Sequence, residues 1–564
     1  GATRLSHLKL RFRNLMAGHD RVKVGRRDFL RVSALTVGAT ACGSVDEDRP
    51  GETTALVRET LSNFQLEEIA IADLTASMRS GDRTTRSIVS QYLSRIQELD
   101  RQGPMLQSVI ETNPEALNIS EELDRERDAG TVRSPLHGVP VLLKDNIDTA
   151  DQMTTTAGSL ALQGSIPLGD STVARRLREA GAVLLGKANL SEWANYRSTR
   201  SSSGWSARGG QCRNPYVLDR SPCGSSSGSG VAVSANLVMV AIGTETDGSI
   251  VCPASTNGIV GIKPTVGLVS RSGIVPISAT QDTAGPMART VRDAVVVLGL
   301  IAGVDTRDPA TEVAGTLGLD DYTPFLDEAG LTGARIGVQR SAFGFHPLVD
   351  RLIEDAIVLM RDRGATIVDP IALRPSPTMR RAEVEVMAYE FKAGLNAYLA
   401  ALPNGEIRSL ADLIAFNEAH AGEEMPYFGQ ERLIEAQRRG SLSEDRYQEA
   451  HAVARRLSRE EGIDRAMDTD DLDAVIAPTG GPAWVIDHVN GDHFSGGSSS
   501  LAAVAGYPNI TVPAGDVQGL PVGLSFFGRA WSEPILIRIA YAFEQASRHR
   551  QQPVFLPTLG AERS

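Results

Sequence analysis

The chain carries the stretch Ser221-Pro222-Cys223-Gly224-Ser225-Ser226-Ser227-Gly228-Ser229-Gly230 and, after an apolar run over 231–242, the stretch Gly243-Thr244-Glu245-Thr246-Asp247-Gly248-Ser249. Glycines at this density let the backbone approach a ligand and point its N–H groups inward. Nucleophilic serines and oxyanion holes are built from such segments. One Ser/Gly run alone is also typical of a flexible loop. Two runs that bracket an apolar helix or strand favour a catalytic serine.

A serine nucleophile needs a base, and Lys144 in Leu142-Leu143-Lys144-Asp145-Asn146 is the candidate. The apolar segment 139–143 before it predicts a short buried strand. Most lysines at a strand end lie on the surface. A lysine that ends a buried strand can instead be desolvated, which lowers its pKa and makes its amine a usable general base.

Outward from these stretches the chain alternates strand and helix patterns, which predicts an α/β domain with a sheet covered on both faces. Strands are predicted at 139–143, 182–186, 259–262, 335–338 and 472–477. Helices are predicted at 69–80, 84–99, 171–180, 291–301 and 533–548. Residues 380–470 consist almost entirely of helix formers, so they are interpreted as a helical insertion within one domain over 63–555.

From about residue 65 to 550 the sequence resembles the amidase-signature family. The resemblance is carried by His137-Gly138-Val139-Pro140 with Lys144-Asp145-Asn146, by Gly224-Ser225-Ser226, by Gly243-Thr244 through Gly248-Ser249, by Lys263-Pro264-Thr265, by Asp282 with Gly285-Pro286-Met287, and by Gly519 to Gly523. It implies a single large domain with a mixed central β-sheet, helices on both faces and a helical insertion.

The resemblance also implies the role of each site residue. Ser249 is the expected nucleophile, Ser225 the bridging serine after a cis peptide bond, and Lys144 the base. Backbone N–H groups of Thr246, Asp247, Gly248 and Ser249 would form the oxyanion hole, with neither a metal nor a cofactor. The chain departs from the commonest Asp-x-Gly-Gly-Ser ending and has Cys223 and Ser227 in place of glycines.

Within that family, the segments 192–195 and 203–210 look most like the peptide-amidase branch, whose members release ammonia from the C-terminal amide of peptides. Ser226 and Trp205 are tentative substrate contacts on this interpretation. The open alternative is a broader amidase that acts on amino-acid, aryl or aliphatic amides. The family also includes a glutaminase subunit that works on tRNA in the cytosol. The N-terminal export signal predicted below for this chain does not fit that subunit.

Three other interpretations are weaker. The segment Gly224-Ser225-Ser226-Ser227-Gly228 also matches the G-x-S-x-G nucleophile elbow, in which Ser226 would be the nucleophile. That elbow must directly follow a strand. Residues 213–223 contain two prolines and several charges, so they do not fit a strand. A non-catalytic peptide-binding lipoprotein would be favoured if a triad residue were missing. The nine histidines show no HExxH spacing for a metal amidase.

The N-terminal part is predicted to direct export. Residues 1–41 hold nine basic and two acidic residues, a net of +7, so the rest of a chain whose total is −12 carries −19. Such an acidic body predicts no nucleic-acid partner. Arg26-Arg27-Asp28-Phe29-Leu30-Arg31 before a short apolar run matches a twin-arginine signal. We therefore expect a signal over 1–41, a tether over 42–62, and a periplasmic protein or lipoprotein.

Details of this segment and of the assembly stay open. Cleavage after Ala41 competes with lipid attachment at Cys42, and Met16 is a sensible initiator. If Cys42 is an anchor, the odd set of Cys212, Cys223 and Cys252 argues against a disulfide framework, although one pair among them stays open. We expect Cys252 to serve as a small side chain that packs in the core. We expect a monomer or a homodimer that binds a small amide or peptide-amide substrate.

Overall fold

The computed structural model describes residues 64–403 and 405–560. The predicted signal over 1–41 and tether over 42–62, including Arg26, Arg27, Ala41 and Cys42, lie outside the described residues. None of the helices within the described residues is both long and apolar enough to cross a membrane.

Thirteen strands occur in the described residues, and eleven of them form one mixed sheet. The strands are β1 (Val109–Thr112), β2 (Pro140–Lys144), β3 (Val183–Ala188), β4 (Trp205–Ser206), β5 (Gly210–Gln211), β6 (Val240–Glu245), β7 (Val260–Lys263), β8 (Thr283–Ala288), β9 (Arg335–Val338), β10 (Thr366–Val368), β11 (Ala474–Pro478), β12 (Asn509–Val517) and β13 (Leu520–Phe527).

The strand order is β1-β3-β2-β6-β8-β7-β12-β13-β11-β9-β10, and β4 pairs with β5 as a separate two-stranded hairpin. Strand β2 runs parallel to both of its neighbours, β3 and β6, while β6, β8, β7, β12, β13 and β11 pair antiparallel in turn. Pairing becomes parallel again between β11, β9 and β10. This mixed sheet confirms the predicted fold class.

Helices cover the two faces of this sheet. They are α1 (Ile71–Ser80), α2 (Thr85–Arg95), α3 (Ala116–Asp128), α4 (Thr172–Glu179), α5 (Ser227–Ser234), α6 (Val251–Thr256), α7 (Val291–Ile301), α8 (Ala314–Leu317), α9 (Pro347–Asp362), α10 (Pro377–Ala401), α11 (Leu410–Ala419), α12 (Ala421–Glu424), α13 (Glu431–Gln437), α14 (Asp445–Ser458), α15 (Asp464–Asp470), α16 (Ser500–Ala505) and α17 (Glu533–Ser547).

Side-chain caps set several helix starts. Thr84, Ser171, Thr290 and Ser376 each accept a hydrogen bond from the backbone N–H three residues later, which satisfies a donor that the first helical turn leaves free. The end predicted for the second helix is less accurate, because α2 stops at Arg95 and a π-helical segment, Ile96–Arg101, continues the chain.

The structure differs in detail from the prediction in two regions. The apolar run after the first Ser/Gly stretch is neither one helix nor one strand: helix α5 ends at Ser234 and strand β6 begins at Val240. The predicted insertion at 380–470 begins three residues earlier with the 25-residue helix α10 and includes α11 to α15. Helix α10 packs against α14, and buried side chains of α10, such as Phe391 and Leu395, form a separate apolar cluster with α11 and α13.

The sheet topology determines where the site lies. All five residues of β2 are buried, as are all six of β6, and the two strands are parallel neighbours, with Val141 opposite Val240. The carboxyl ends of β2 and β6 therefore meet at the same edge of the sheet. Ligand sites of α/β sheets form outside such carboxyl ends. Lys144 ends β2, and the loop that carries Ser249 follows β6 at this edge.

Candidate active site

Lys144 lies at the centre of a buried polar cluster. Its Nζ is 2.7 Å from Ser225 Oγ, 2.8 Å from Thr244 Oγ1 and 3.3 Å from the Thr244 carbonyl oxygen. Burial lowers the pKa of Lys144 from 10.5 to about 7, against the smaller opposing effects of the negative charges of Asp282 and Glu245. Desolvation disfavours the charged amine, so a substantial fraction of Lys144 is neutral near pH 7.

Two further polar groups fix the surroundings of the amine. Asn146 Nδ2 donates to Thr244 Oγ1 over 3.0 Å, which holds the hydroxyl that faces Lys144. Asp282 accepts hydrogen bonds from Thr246 Oγ1 and from the backbone N–H groups of Ile277 and Ser278. Burial raises the pKa of Asp282 to about 6. The sequence pattern points to Asp282 as a family residue, but it does not reveal that this carboxylate tethers the nucleophile loop.

Ser225 and Ser226 have different environments although they are neighbours. Ser225 is fully buried, follows the cis Gly224–Ser225 peptide bond, and presents Oγ to Lys144. Ser226 Oγ donates to the Thr244 carbonyl oxygen over 3.0 Å and accepts from Thr244 N–H over 3.2 Å. These bonds attach the start of α5 to the end of β6, so the Ser226 hydroxyl is occupied in holding the fold. The structure therefore does not support the tentative assignment of Ser226 as a substrate contact.

The nucleophile-elbow alternative also finds no support. The segment 212–226 that leads to Ser226 contains no strand apart from isolated bridges at Val217 and Arg220. Ser226 is fully buried, whereas Ser249 is 8% exposed and faces a cavity. A nucleophile must be reachable by substrate, so the geometry favours Ser249 over Ser226.

Ser249 lies on the loop between β6 and α6. Its carbonyl oxygen accepts from Ser226 N–H over 3.1 Å, which brings the two serine-bearing loops together. Gly248 has a φ of +79°, a conformation that side chains rarely adopt, and a Cβ there would lie 3.0 Å from Ser499 Oγ. Within the described residues, the backbone N–H groups of Asp247, Gly248 and Ser249 donate to no protein acceptor. This loop thus offers a row of free donors.

The structure brings Lys144 and Ser225 into contact and places Ser249 on the adjoining loop. In the described part of the chain no hydrogen bond joins the hydroxyls of Ser249 and Ser225. Hydrogen bonds within catalytic sites often tighten only when substrate binds.

The nucleophile cavity, which we define by Ser249 in its wall, has a volume of about 810 Å³. Its catalytic side comprises Gly224 and the loop Thr246, Asp247, Gly248 and Ser249. Aromatic and apolar side chains also line the cavity, namely Tyr196, Phe343, Phe345, Val384, Met387, Trp484 and Phe494. Arg380, Glu383 and Arg432 add ionisable side chains to this lining. The helical insertion therefore forms one wall of the cavity, and the sequence pattern does not reveal the aromatic wall.

A second, smaller cavity of about 340 Å³ lies on the lysine side. Its inner end is formed by buried residues of the lysine cluster, including Asn146, Ser225 and Thr244. Its outer end is formed by residues of the 271–283 loop and by Ala393 and Gly394 of α10. Ala194, Thr246 and Ile277 line both cavities, so the catalytic cluster lies between them.

Two acidic residues next to Ser249 have structural partners. Glu245 Oε2 accepts from the N–H groups of Ile250 and Val251 at the start of α6. Asp247 accepts from Ser499 Oγ and Ser500 Oγ. Burial, and after it the neighbouring Asp247, raise the pKa of Glu383 on α10 well above its usual value. The acidic loop residues that depart from the commonest family pattern therefore hold the loop in place.

Trp205 lines neither cavity, so the structure does not support it as a substrate contact. Its ring packs edge-on against Tyr427 and Phe428, and the Arg197 guanidinium lies 5.3 Å from its centroid. Buried Arg197 also pairs with Glu192 and with Glu424 of α12. This cluster joins the helical insertion to the sheet domain, and Trp205 contributes its ring to that packing.

Cys223 and Cys252 form a disulfide, and Cys212 is a buried free thiol. The expectation that Cys252 serves only as small core packing is therefore wrong. The odd number of cysteines did not predict this pair, because the pairing depends on two loops that approach each other only in the folded chain. Within residues 64–403 and 405–560, no group of three or more His, Cys, Asp or Glu side chains is placed to hold a metal ion.

Comparison with known proteins shows the family of the chain. A family model described as Amidase matches residues 87–537. A probable amidase of Arabidopsis thaliana is 44% identical over 505 residues, which cover 88% of this chain and 93% of that protein.

Two proteins of known crystal structure are more similar in sequence to this chain than the Arabidopsis protein is. Native peptide amidase from Stenotrophomonas maltophilia has a TM-score of 0.84 at 55% identity, covering 87% of this chain and 99% of that one. A peptide amidase in complex with the competitive inhibitor chymostatin has a TM-score of 0.84 at 56% identity, covering 86% and 99%. The family that the Lys144, Ser225 and Ser249 motifs resemble is thus confirmed: the chain belongs to the amidase-signature family and is an amidohydrolase that acts on amides.

Proposed function

We propose that this amidohydrolase works through a Ser249–Ser225–Lys144 triad. The observation that carries the proposal is the contact of 2.7 Å between Lys144 Nζ and Ser225 Oγ, because it couples an amine of depressed pKa to a hydroxyl beside the Ser249 loop. Ser249 supplies the accessible hydroxyl at the cavity wall.

In the proposed reaction, neutral Lys144 accepts a proton from Ser225 as Ser225 accepts the proton of Ser249. The Ser249 oxygen then bonds to the amide carbon, and a tetrahedral intermediate forms. The proton returns through Ser225 to the amide nitrogen, the C–N bond breaks, and ammonia leaves. A water molecule, activated by the same base, hydrolyses the acyl-enzyme and regenerates Ser249.

The negative charge of the tetrahedral intermediate needs donors that are already in position. We assign this role to the backbone N–H groups of Thr246, Asp247, Gly248 and Ser249. Support comes from the unoccupied N–H groups of the last three residues and from the tethers that hold the loop, Thr246 to Asp282 and Asp247 to Ser499. Preorganised donors of this kind are the largest single contribution in many hydrolases.

We further propose that the substrate is the C-terminal carboxamide of a peptide. The similarity to the two peptide amidases supports this substrate, as does the nucleophile cavity, whose volume and aromatic wall suit peptide residues on the acyl side of the scissile bond. On the leaving-group side, Ser225 and Lys144 are fully buried. A site that accepts ammonia there but excludes a following residue leaves internal peptide bonds intact.

Mass spectrometry of an amidated peptide incubated with the enzyme tests the substrate. We expect only the small mass gain that accompanies replacement of the terminal NH₂ by OH. A dipeptide amide should have a higher kcat/KM than an amino-acid amide, because acyl-side contacts contribute to transition-state binding.

The matched control for this substrate test is the same peptide with an N-methylamide end, which should react much more slowly. Internal fragments, or turnover confined to aryl or aliphatic amides, would contradict the proposed substrate and favour the broader amidase.

We propose that the chain is exported to the periplasm, with lipid attachment at Cys42 or cleavage after Ala41 as the two alternatives. The twin-arginine pattern at Arg26-Arg27 supports export. The Cys223–Cys252 disulfide supports it independently, because disulfides persist in oxidising compartments and are rare in the cytosol.

Export is tested by the double substitution Arg26→Lys and Arg27→Lys in a bacterial host with a twin-arginine pathway. We expect the variant to remain in the cytoplasm while the wild type is recovered outside it, as measured by fractionation. Incorporation of labelled palmitate into the wild type but not into Cys42→Ala would identify Cys42 as the site of lipid attachment. Equal export of the double variant would show that the twin-arginine interpretation is wrong.

A further inference from the structure

We infer that the Cys223–Cys252 disulfide is a positioning element for the catalytic serines, an inference that rests on the proposed triad. Cys223 is two residues before Ser225, and Cys252 is three residues after Ser249. The bond thus joins the two loops that carry the bridging serine and the nucleophile. No other covalent link in the described residues connects these loops.

The disulfide acts together with one backbone hydrogen bond. Ser226 N–H donates to the Ser249 carbonyl oxygen over 3.1 Å, directly beside both serines. The disulfide and this hydrogen bond close a small ring that contains residues 223–226 and 249–252. Because the ring includes Ser225 and Ser249, relative sliding of the two loops is restricted at the position where a proton must pass between their hydroxyls. A displacement of about 1 Å at such a site can lower the rate about 100-fold.

Other contacts hold the surrounding fold without the disulfide. Thr256 Oγ1 and Asn257 Nδ2, at the end of α6, donate to the Pro222 carbonyl oxygen over 2.7 and 2.9 Å. Ser227 Oγ donates to the Cys223 carbonyl oxygen over 2.6 Å. Loss of the S–S bond should therefore loosen the serine loops while the sheet and helices stay folded. This separation of effects makes the inference testable.

The bond is also accessible to a reductant. Cys223 and Cys252 both line the nucleophile cavity, where they pack against Trp484. A thiolate of a small dithiol that enters the cavity can attack one cysteine sulfur, which releases the other cysteine as a thiolate and forms a mixed disulfide. The second sulfur of the dithiol then attacks the first dithiol sulfur, which closes the cyclic disulfide and releases the remaining cysteine. The enzyme gains two electrons and two protons, which appear as two cysteine thiols, and the dithiol is oxidised to its cyclic disulfide.

The experiment compares oxidised wild type, dithiothreitol-reduced wild type, and the double variant Cys223→Ala with Cys252→Ala. Cys212→Ala is the matched control, because Cys212 is a buried thiol outside the cavity and outside the disulfide. Thiol counts by mass spectrometry confirm each state. Kinetics with a peptide amide, the rate of fluorophosphonate labelling at Ser249, and the melting temperature are then measured on every form, with the assay kept below the lowest melting temperature.

We expect kcat and the labelling rate to fall about 10- to 100-fold in the reduced enzyme and in the double variant, with KM nearly unchanged. Reoxidation of the reduced wild type should restore both rates, and Cys212→Ala should behave as wild type. Full kcat in a reduced enzyme in which Cys212, Cys223 and Cys252 have all been detected as thiols would overturn the inference, as would a loss of rate that follows unfolding alone. If oxidised wild type is not labelled at Ser249, the triad itself is wrong, which is a different result.

Discussion

Ser249→Ala should lose at least about 10⁴-fold in kcat for peptide-amide hydrolysis and should no longer react with a fluorophosphonate probe. The physical reason is that Ser249 alone provides the oxygen that bonds to the amide carbon, and the position of Ser249 in the cavity wall makes that oxygen reachable. Ammonia release and in-gel detection of the probe measure the two effects. The melting temperature should stay close to that of wild type, because one small hydroxyl is removed from a loop.

Ser226→Ala is the matched control for the nucleophile. It removes a hydroxyl three positions after Cys223 but leaves Ser249 in place, so probe labelling should persist. Some loss of activity is expected, because Ser226 Oγ bonds to Thr244, which also contacts Lys144. Labelling that disappears in Ser226→Ala and persists in Ser249→Ala would reverse the assignment and restore the nucleophile-elbow interpretation.

Lys144→Met should lower kcat by about 10²- to 10⁴-fold, the range that general acid–base catalysis contributes. Methionine keeps an unbranched side chain in the buried position but has no amine to accept the proton from Ser225. The pH profile gives a second readout. Only the neutral amine acts as a base, so wild-type activity should rise with pH through the Lys144 pKa of about 7 and fall below it. This fall in activity on the acidic side of the pH profile, the acid limb, should be absent from the residual activity of Lys144→Met.

Asp282→Asn distinguishes Lys144 from other titrating groups. The negative charge of Asp282 raises the pKa of Lys144, so its removal should lower that pKa further and move the acid limb to lower pH. The limb should keep its shape. A Lys144→Met variant that retains the wild-type acid limb would show that another group is the base.

The parts of the site that follow strand ends could be predicted from sequence. The apolar residues before Lys144 predicted β2, and the alternation of elements predicted the α/β sheet, because buried strands have a short, continuous apolar pattern. The segment between the Ser/Gly stretches was ambiguous, because a buried helix and a buried strand are both apolar. The chain uses it for both, with a turn near Asn236, whose φ is +57°.

Features that depend on long-range contacts could not be predicted. The Cys223–Cys252 bond requires the two serine loops to meet, and Glu383 reaches the nucleophile loop from the helical insertion. Trp205 and Ser226 lie in motif segments, yet their side chains pack inside the protein. A motif locates a segment near the site, but only the fold shows whether a given side chain faces the cavity or the core.

The most direct test of the proposed mechanism is to trap the acyl-enzyme. Enzyme and a short peptide amide are mixed, quenched in acid on the millisecond timescale, digested and mapped by mass spectrometry. We predict an ester adduct with the mass of the peptide acyl group on Ser249, formed together with a stoichiometric burst of ammonia. An adduct on Ser226, or an ammonia burst with Ser249 unmodified at every quench time, would contradict the proposed triad.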